Sequence, residues 1–217
     1  MIVNERLAAY INSLDAGNKE YLEVLEREAL NNHVPVIRRE TQTFLKLLLC
    51  LKKPARILEV GTAVGFSALL MAEYHPGDCH ITTIEKDEKR IDAARENFRR
   101  AGREGRITLL GGDAAEILPQ LTVPSDLIFL DAAKGQYLPL LPELLRLLAE
   151  DGVLVSDNVL QDGDVIESRY AVTRRNRTIH KRMRGYLFQL THLEGLVTAV
   201  LPVGDGITVS TWRGNQV

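Results

Sequence analysis

The stretch ILEVGTAVGFS, residues 57–67, decides the fold of this chain. A run of β-rich apolar residues enters a turn that contains Gly61 and Gly65, and a helical stretch follows. Because glycine lets the backbone turn tightly and approach a ligand closely, this order is typical of a nucleotide-type cofactor site. The spacing is GxxxG rather than the GxGxxG of dinucleotide-binding proteins, and on its own it fits a purely structural turn equally well.

Downstream of this stretch, short β-rich runs alternate with helical runs. The predicted strands are 56–60, 80–85, 107–111, 126–131 and 153–156, and the predicted helices are 66–74, 88–101, 114–121 and 137–148. Strands separated by crossover helices run parallel, and right-handed crossovers bring all their C-terminal ends to one edge of the sheet. The pattern predicts a Rossmann-like, doubly wound α/β fold.

Both ends of the chain depart from this alternation. Residues 4–51 carry apolar side chains at helical spacing, interrupted around Pro35, so helices are expected before the sheet. Two β-rich runs at 196–203 and 206–212 are too close together for a crossover helix and predict a C-terminal antiparallel hairpin. A mostly parallel sheet completed by an antiparallel strand is typical of class I methyltransferases rather than of dinucleotide dehydrogenases.

The composition predicts one domain without general affinity for polyanions. At 217 residues and 45% hydrophobic content, the chain can form one sizeable core, and we treat residues 1–217 as a single domain. The net charge is −2, so contact with nucleic acid would require a local basic patch. Cys50 and Cys79 lack zinc-ligand spacing, and no segment has the pattern of a signal peptide or membrane span. We therefore expect a cytoplasmic protein.

Acidic residues accompany the first three predicted strands. Glu59 precedes the glycine turn, where a carboxylate would repel a pyrophosphate but attract the ammonium group of a methionine-type cofactor. Glu85 ends the second strand, where it can accept hydrogen bonds from two ribose hydroxyls. Asp113 and Ala114 follow the third strand and can meet an adenine ring, although Asp113 fits a helix N-cap about as well. Their regular recurrence favours a methionine-type nucleoside cofactor.

Oxygen-bearing side chains follow the next two strands. Asp131 closes the fourth strand, and Asp157 and Asn158 close the fifth. An Asp-Asn pair alone is more often a turn, but two acids together without a cation are costly, and oxygen ligands favour Mg²⁺, Mn²⁺ or Ca²⁺. Such a metal can chelate two adjacent substrate oxygens and lower the pKa of a hydroxyl. Lys134 and Asp131 are then the candidate catalytic residues, with Lys134 as proton acceptor or, about equally well, a surface lysine.

These motifs resemble those of the cation-dependent O-methyltransferases that include catechol and caffeoyl-CoA methyltransferases. The resemblance spans about 34–212 and rests on EVGTAVGFS (59–67), IEKD (84–87), GGDA (111–114), FLDAAKGQY (129–137) and SDN (156–158). It implies S-adenosylmethionine as cofactor and a magnesium or similar hard divalent cation on Asp131, Asp157 and Asn158. The implied cofactor contacts are Glu59, Gly61, Thr62, Ser67, Glu85, Asp113, Ala114 and Asp131. The resemblance also implies that residues 36–38 roof the site and that residues 1–53 form a lid and the contact of a homodimer.

Residues 169–184 narrow the substrate class within this family. The segment holds seven Arg or Lys and no acid, lies in a basic insertion at about 162–195, and is similar to the TRRNRTI…RMR run of members that methylate 5-hydroxyuridine in bacterial tRNA. This resemblance implies a tRNA anticodon loop as partner and 5-methoxyuridine at the wobble position (U34) as product. A basic, aromatic-poor segment suits phosphate contact more than base stacking. The candidate tRNA contacts are Arg38, Arg174, Arg175, Arg177, Lys181, Arg182 and Arg184.

Other functions stay open at this point. A catechol-like or caffeoyl-CoA-like small molecule would use the same cofactor and metal residues, and arginines also bind the phosphates of a CoA-type substrate. The basic segment can equally be a solvated helix face, and Arg174, Arg175 and Arg177 do not share one stripe. A non-catalytic RNA-binding module would use the arginines but would have no use for the two acids and the amide.

Overall fold

A seven-stranded sheet forms the centre of the computed structural model, which describes residues 3–168 and 170–214. The strands are Arg56–Val60 (β1), His80–Glu85 (β2), Ile107–Gly111 (β3), Ser125–Leu130 (β4), Leu148–Ser156 (β5), Leu196–Leu201 (β6) and Ile207–Trp212 (β7). Their order across the sheet is β3-β2-β1-β4-β5-β7-β6. The first five strands run parallel, and β7 pairs antiparallel with both β5 and β6. The predicted Rossmann-like fold with a C-terminal antiparallel hairpin is confirmed.

Helices precede the sheet and cover both of its faces. They are Glu5–Ser13 (α1), Glu20–Asn31 (α2), Arg39–Lys52 (α3), Phe66–Tyr74 (α4), Glu88–Arg100 (α5), Ala114–Ile117 (α6), Tyr137–Leu147 (α7) and Arg177–His192 (α8). Short 3₁₀ turns occupy Leu118–Gln120, Lys134–Gln136 and Gln161–Ile166. Over the described part of the chain, no helix combines the length and apolar character needed to cross a bilayer.

The largest differences between the observed and the predicted bounds lie in three places. The helix expected over 114–121 ends at Ile117 and continues as a 3₁₀ turn, because Pro119 has no backbone N–H to extend the α-helical ladder. Strand β5 begins at Leu148 instead of residue 153, with a register shift opposite Ser125 and Leu127. The two tail strands are shorter than expected at the hairpin turn.

Two apolar clusters sandwich the sheet. One lies under α2 to α5 and the other under α7 and α8. Strand β4 contributes Leu127 and Phe129 to the first cluster and Ile128 and Leu130 to the second. Because helices cover both faces, a central parallel strand reads as a continuous apolar run instead of an alternating one.

The end of β1 packs directly against the end of β4 at Gly61. This residue has φ +95°, and a Cβ there would lie 2.3 Å from the carbonyl oxygen of Asp131. Only glycine permits both the positive φ and this backbone approach. Gly61 thus allows the loop after β1 and the loop after β4 to meet at one edge of the sheet.

We predict that Gly61→Ala destabilises the protein severely. The added methyl group forces the two loops apart at a backbone contact, so the free energy of unfolding should fall by about 3 kcal/mol or more. Gly105→Ala is the matched control, because a Cβ there meets nothing within 4 Å. Urea unfolding of both variants measures the difference, and equal stabilities would contradict this account of Gly61.

Candidate active site

A cavity of about 600 Å³ opens at the edge of the sheet where the parallel strands end. Its walls come from the turn after β1, the ends of β2 and β4, the start of α6 and the segment before α3. Residues 36–38, expected to roof the site, line it. The other sequence-predicted residues that line it are Gly61, Thr62, Ser67, Glu85, Asp113, Ala114, Asp131, Lys134 and Asn158. Glu59 and Asp157 lie behind this wall.

Glu59 lies just before the glycine turn, as expected, with its side chain behind the cavity wall. Its side chain is completely buried, and its two carboxylate oxygens accept hydrogen bonds from Ser67 Oγ and Thr83 Oγ1, each at 2.5 Å. Burial raises the pKa of Glu59 to about 7. Each carboxylate oxygen thus has one side-chain hydroxyl as a donor, and Ser67, one of the two donors, also lines the cavity.

Glu85 fixes the glycine turn while lining the cavity. Its carboxylate accepts backbone N–H bonds from Ala63 at 2.9 Å, Lys86 at 2.9 Å and Asp87 at 3.0 Å. The bond to Ala63 ties the end of β2 to the turn after β1. The result is a carboxylate acceptor held rigidly at the cavity wall, at the place predicted for ribose recognition.

Asp113 is both the N-cap of a helix and part of the cavity wall, the two places that its sequence position allows. Its Oδ1 accepts the backbone N–H of Ala115 at 3.0 Å and caps α6, and the residue also lines the cavity beside Ala114. The cap and the cavity contact use the same strand-end position, so one does not exclude the other.

Two acids with raised pKa values follow β4 and β5. Asp157 is 1% exposed, and burial together with the charge of Asp131 raises its pKa to about 7. Burial also raises the pKa of Asp131, while the nearby Lys134 ammonium acts in the opposite direction. Asp157 Oδ1 accepts the backbone N–H of Asn158 at 2.7 Å, but its buried Oδ2 has no hydrogen-bond partner among the residues that the structure describes. The two carboxylates of Asp131 and Asp157 therefore have too few positive charges and hydrogen-bond donors around them.

This donor set fits a hard cation. Across residues 3–168 and 170–214, no group of three His, Cys, Asp or Glu side chains is placed to hold a metal ion. The candidate donor set consists of the two acids and the side-chain amide of Asn158. A buried carboxylate oxygen without a partner is costly unless something neutralises it. Oxygen donors of this kind suit Mg²⁺, Mn²⁺ or Ca²⁺.

Lys134 stands beside the acid pair. Its Nζ lies 3.5 Å from Asp131 Oδ1, its side chain is 24% exposed, and it lines the cavity. The ammonium group also lies 5.5 Å from the centre of the Tyr137 ring. Lys134 is thus at the cavity wall, within reach of a bound molecule, and is not an ordinary surface lysine.

Arg38 joins three loops at the cavity mouth. Its Nη2 lies 2.5 Å from Asp205 Oδ1 and 3.1 Å from Asp162 Oδ1, and Arg38 and Asp205 both line the cavity. Arg38 was predicted as a tRNA contact, and the structure places it at the mouth, paired with two acids. No sequence pattern singles out Asp205, because a Gly-Asp-Gly tripeptide fits a hairpin turn.

The basic segment is helical only from Arg177 onward. Arg174 and Arg175 are exposed in the preceding turn, and Arg169 lies outside the described residues. Arg177, Lys181 and Arg184 follow at the i, i+4 and i+7 positions of α8, so they share one helix face. A cationic stripe therefore exists, although it is not the set of neighbouring arginines that the sequence draws attention to.

Arg182 connects this helix to the cavity wall. Its Nη1 donates to the carbonyl of Gly135 at 3.0 Å, next to Lys134. Helix α8 thus lies beside the turn that presents Lys134.

Comparison with known proteins identifies a family whose model matches most of this chain. A family model described as O-methyltransferase matches residues 12–212. Catechol O-methyltransferases from Niastella koreensis and Mycobacterium tuberculosis are 38% and 35% identical over 128 and 124 residues, in each case 57% of this chain. The chain spans 58% and 56% of the lengths of these two relatives.

Solved structures match over nearly the whole chain. The SAH-bound methyltransferase PaMTH1 from Podospora anserina is 28% identical, with a TM-score of 0.86 and 98% coverage of both chains. A candidate caffeoyl-CoA O-methyltransferase from Staphylococcus aureus is 30% identical, with a TM-score of 0.88 and coverage of 97% of this chain and 100% of that one.

We predict that Glu59→Gln reduces the pH dependence of stability. Between the ordinary pKa of 4.5 and the folded value of about 7, the folded protein keeps a proton that the unfolded chain loses. The stabilisation is complete below pH 4.5 and is lost as the pH rises to about 7, a change of about 3 kcal/mol. The variant lacks this group, so its stability should fall less across that window.

Urea unfolding at pH 5 and pH 8, in EDTA, measures the effect. The control is Glu116→Gln, because Glu116 is exposed. A variant whose stability changes with pH as steeply as that of the wild type would show that Glu59 is not the buried protonated acid.

Proposed function

This chain belongs to the O-methyltransferase family, and from that premise we propose that it transfers a methyl group from S-adenosylmethionine to the 5-hydroxyl of a tRNA wobble uridine. The product is 5-methoxyuridine. The observation that carries this proposal is the contact of Arg182 with Gly135, which sets the cationic helix α8 beside the Lys134 wall of the cavity. A second candidate, methylation of a catechol-like small molecule, is favoured by the names of the two curated relatives.

The cavity supports the choice of cofactor. Gly61, Glu85 and Asp113 place a close backbone turn and two carboxylates along one wall, the groups that recognise an amino-acid, ribose and adenine moiety in turn. The similar Podospora anserina protein was solved with the demethylated cofactor. Glu59 lies behind the wall and accepts a hydrogen bond from Ser67, which lines the cavity.

Asp131, Asp157 and Asn158 would hold Mg²⁺ or another hard divalent cation, which when bound supplies positive charge for two adjacent substrate oxygens. The 5-hydroxyl and 4-carbonyl of the modified uracil are such a pair, as are the two hydroxyls of a catechol. Lys134 Nζ lies at the cavity wall, where as an ammonium group it would pair with the oxyanion and only as the neutral amine would take the hydroxyl proton. Arg38 closes the mouth through Asp162 and Asp205.

The cationic stripe supports tRNA as the acceptor. Phosphate contacts supply most of the affinity of proteins for nucleic acid, and Arg177, Lys181 and Arg184 present three positive charges on one face. Arg174 and Arg175 extend that charge into the preceding turn, where both are exposed. A wobble base is single-stranded and splays out of its loop without the cost of melting a duplex.

A homodimer is part of the same proposal. Large apolar side chains are exposed in α1, directly after it and in α3, namely Leu7, Tyr10, Ile11, Leu14, Leu47 and Leu51. Apolar patches of this kind on a monomer mark association surfaces. We assign them to contact with a second copy of this chain, with residues 1–53 serving as lid and dimer segment.

We predict that the purified protein methylates hypomodified tRNA containing 5-hydroxyuridine. Nucleoside mass spectrometry after incubation with S-adenosylmethionine and Mg²⁺ should show 5-methoxyuridine. Asp157→Ala should lower turnover about 10³-fold or more, since it removes a candidate metal ligand. Affinity for tRNA should stay within about twofold, since Asp157 lies behind the cavity wall, away from the α8 face.

Three results would contradict parts of this proposal. Methylation of catechol alone would favour the second candidate. Unchanged turnover in Asp157→Ala would remove the metal mechanism. Binding of tRNA with no methylation of either acceptor by the wild type would indicate a non-catalytic RNA-binding protein.

We predict that reversing charge on α8 weakens tRNA binding selectively. Lys181→Glu with Arg184→Glu replaces two cations on the stripe, so KM for tRNA should rise about tenfold or more at about 0.1 M salt. Methylation of a small catechol should be unaffected. Arg95→Glu is the control, because Arg95 is an exposed cation on α5, outside the stripe. Equal losses in the double variant and the control would contradict a specific role for α8.

A further inference from the structure

One buried hydroxyl joins the two strand ends that precede Asp131 and Asp157. Tyr137, the first residue of α7, is 0% exposed. Its Oη lies 2.9 Å from the carbonyl oxygen of Asp157 and 3.2 Å from that of Leu130. A phenol carries one proton, so Tyr137 donates a shared hydrogen bond to both carbonyls. The hydroxyl therefore bridges the end of β4 to the end of β5.

The position of the Asp157 carboxylate depends on this main chain. Its Oδ2 has no hydrogen-bond partner, and Oδ1 accepts only from the N–H of the next residue, Asn158. Asn158 has φ +56°, a left-handed conformation that asparagine adopts more readily than most other non-glycine residues. On the other side, the N–H of Asp157 donates to the Leu130 carbonyl at 3.0 Å. The Tyr137 hydroxyl completes the set of bonds that fix this peptide.

A second buried tyrosine provides a comparison within the same layer. Tyr186 of α8 packs edge to face against Tyr137 with ring centres 5.4 Å apart and is equally buried. Its Oη lies 2.6 Å from Ser156 Oγ and makes no contact with a strand-end carbonyl. Substitution by Phe would remove one buried hydrogen bond at either tyrosine. Only the substitution at Tyr137 would remove a bond to the main-chain carbonyls of Leu130 and Asp157.

We propose that Tyr137 is a positioning residue that sets the separation of the Asp131 and Asp157 carboxylates and thereby their affinity for a divalent cation. The inference rests on the proposed function, since it assumes that these acids hold a metal. Residues that orient metal ligands from outside the coordination shell typically change metal affinity about 10- to 100-fold when removed. Tyr137 acts on Asp157 through its carbonyl and on Asp131 through the preceding residue, Leu130.

The test compares Mn²⁺ binding by the wild type, Tyr137→Phe and Tyr186→Phe, without cofactor or substrate. The electron paramagnetic resonance signal of free Mn²⁺ reports binding directly, independently of catalysis. Tyr137→Phe should bind Mn²⁺ about tenfold or more weakly, and Tyr186→Phe should stay within about twofold of the wild type. Thermal unfolding in EDTA checks that both variants are folded and that their losses of stability are similar, as expected for one buried hydrogen bond each.

Each outcome decides between the inference and its premise. Equal Mn²⁺ affinity in the wild type and Tyr137→Phe would overturn the positioning role while leaving the proposed function intact. Equal weakening in both variants would also overturn it, because loss of any buried hydroxyl would then suffice. A wild type that binds no Mn²⁺ would overturn the metal itself and, with it, this inference.

Discussion

The register of three parallel strands determines where Gly61, Asp131 and Asp157 lie. Val60 pairs with Leu130, and Leu130 pairs with Ser156, so one row crosses the ends of β1, β4 and β5. The next residue after each member of this row is Gly61, Asp131 or Asp157. Because side chains alternate between the faces of a strand, a slip of one residue would turn the acids away from each other. The pairing of the strand backbones therefore determines the relative positions of Gly61, Asp131 and Asp157.

That arrangement places two carboxylates where the protein supplies too little positive charge. Lys134 lies near Asp131, but Asp157 is buried with one oxygen unpaired. Desolvation and mutual repulsion oppose ionisation of the pair, a direction shared by the raised pKa values of both acids. Such a cost is characteristic of a site built for a ligand rather than for stability.

Local patterns in the sequence determine much of this structure, and contacts between distant segments determine the rest. The parallel strands, the Gly61 turn and the positions of Glu85, Asp131 and Asn158 at strand ends follow from apolar runs and turn residues. The burial of Glu59 does not, because the hydroxyls that bind it come from β2 and α4. Similarly, the Arg38–Asp205 pair joins the segment before α3 to a hairpin turn near the other end of the chain. No spacing rule connects such positions.

Helix α8 has two faces that matter for the proposed recognition of tRNA. One face presents the cationic stripe to solvent, and the opposite face buries Met183, Tyr186 and Leu190 against the sheet. From the side of the helix, Arg182 donates to the Gly135 carbonyl next to Lys134. A polyanion bound along the stripe would therefore contact the helix that supports the turn carrying Lys134. A small phenol would contact the cavity and not the stripe, and this difference is the physical argument for proposing the larger acceptor.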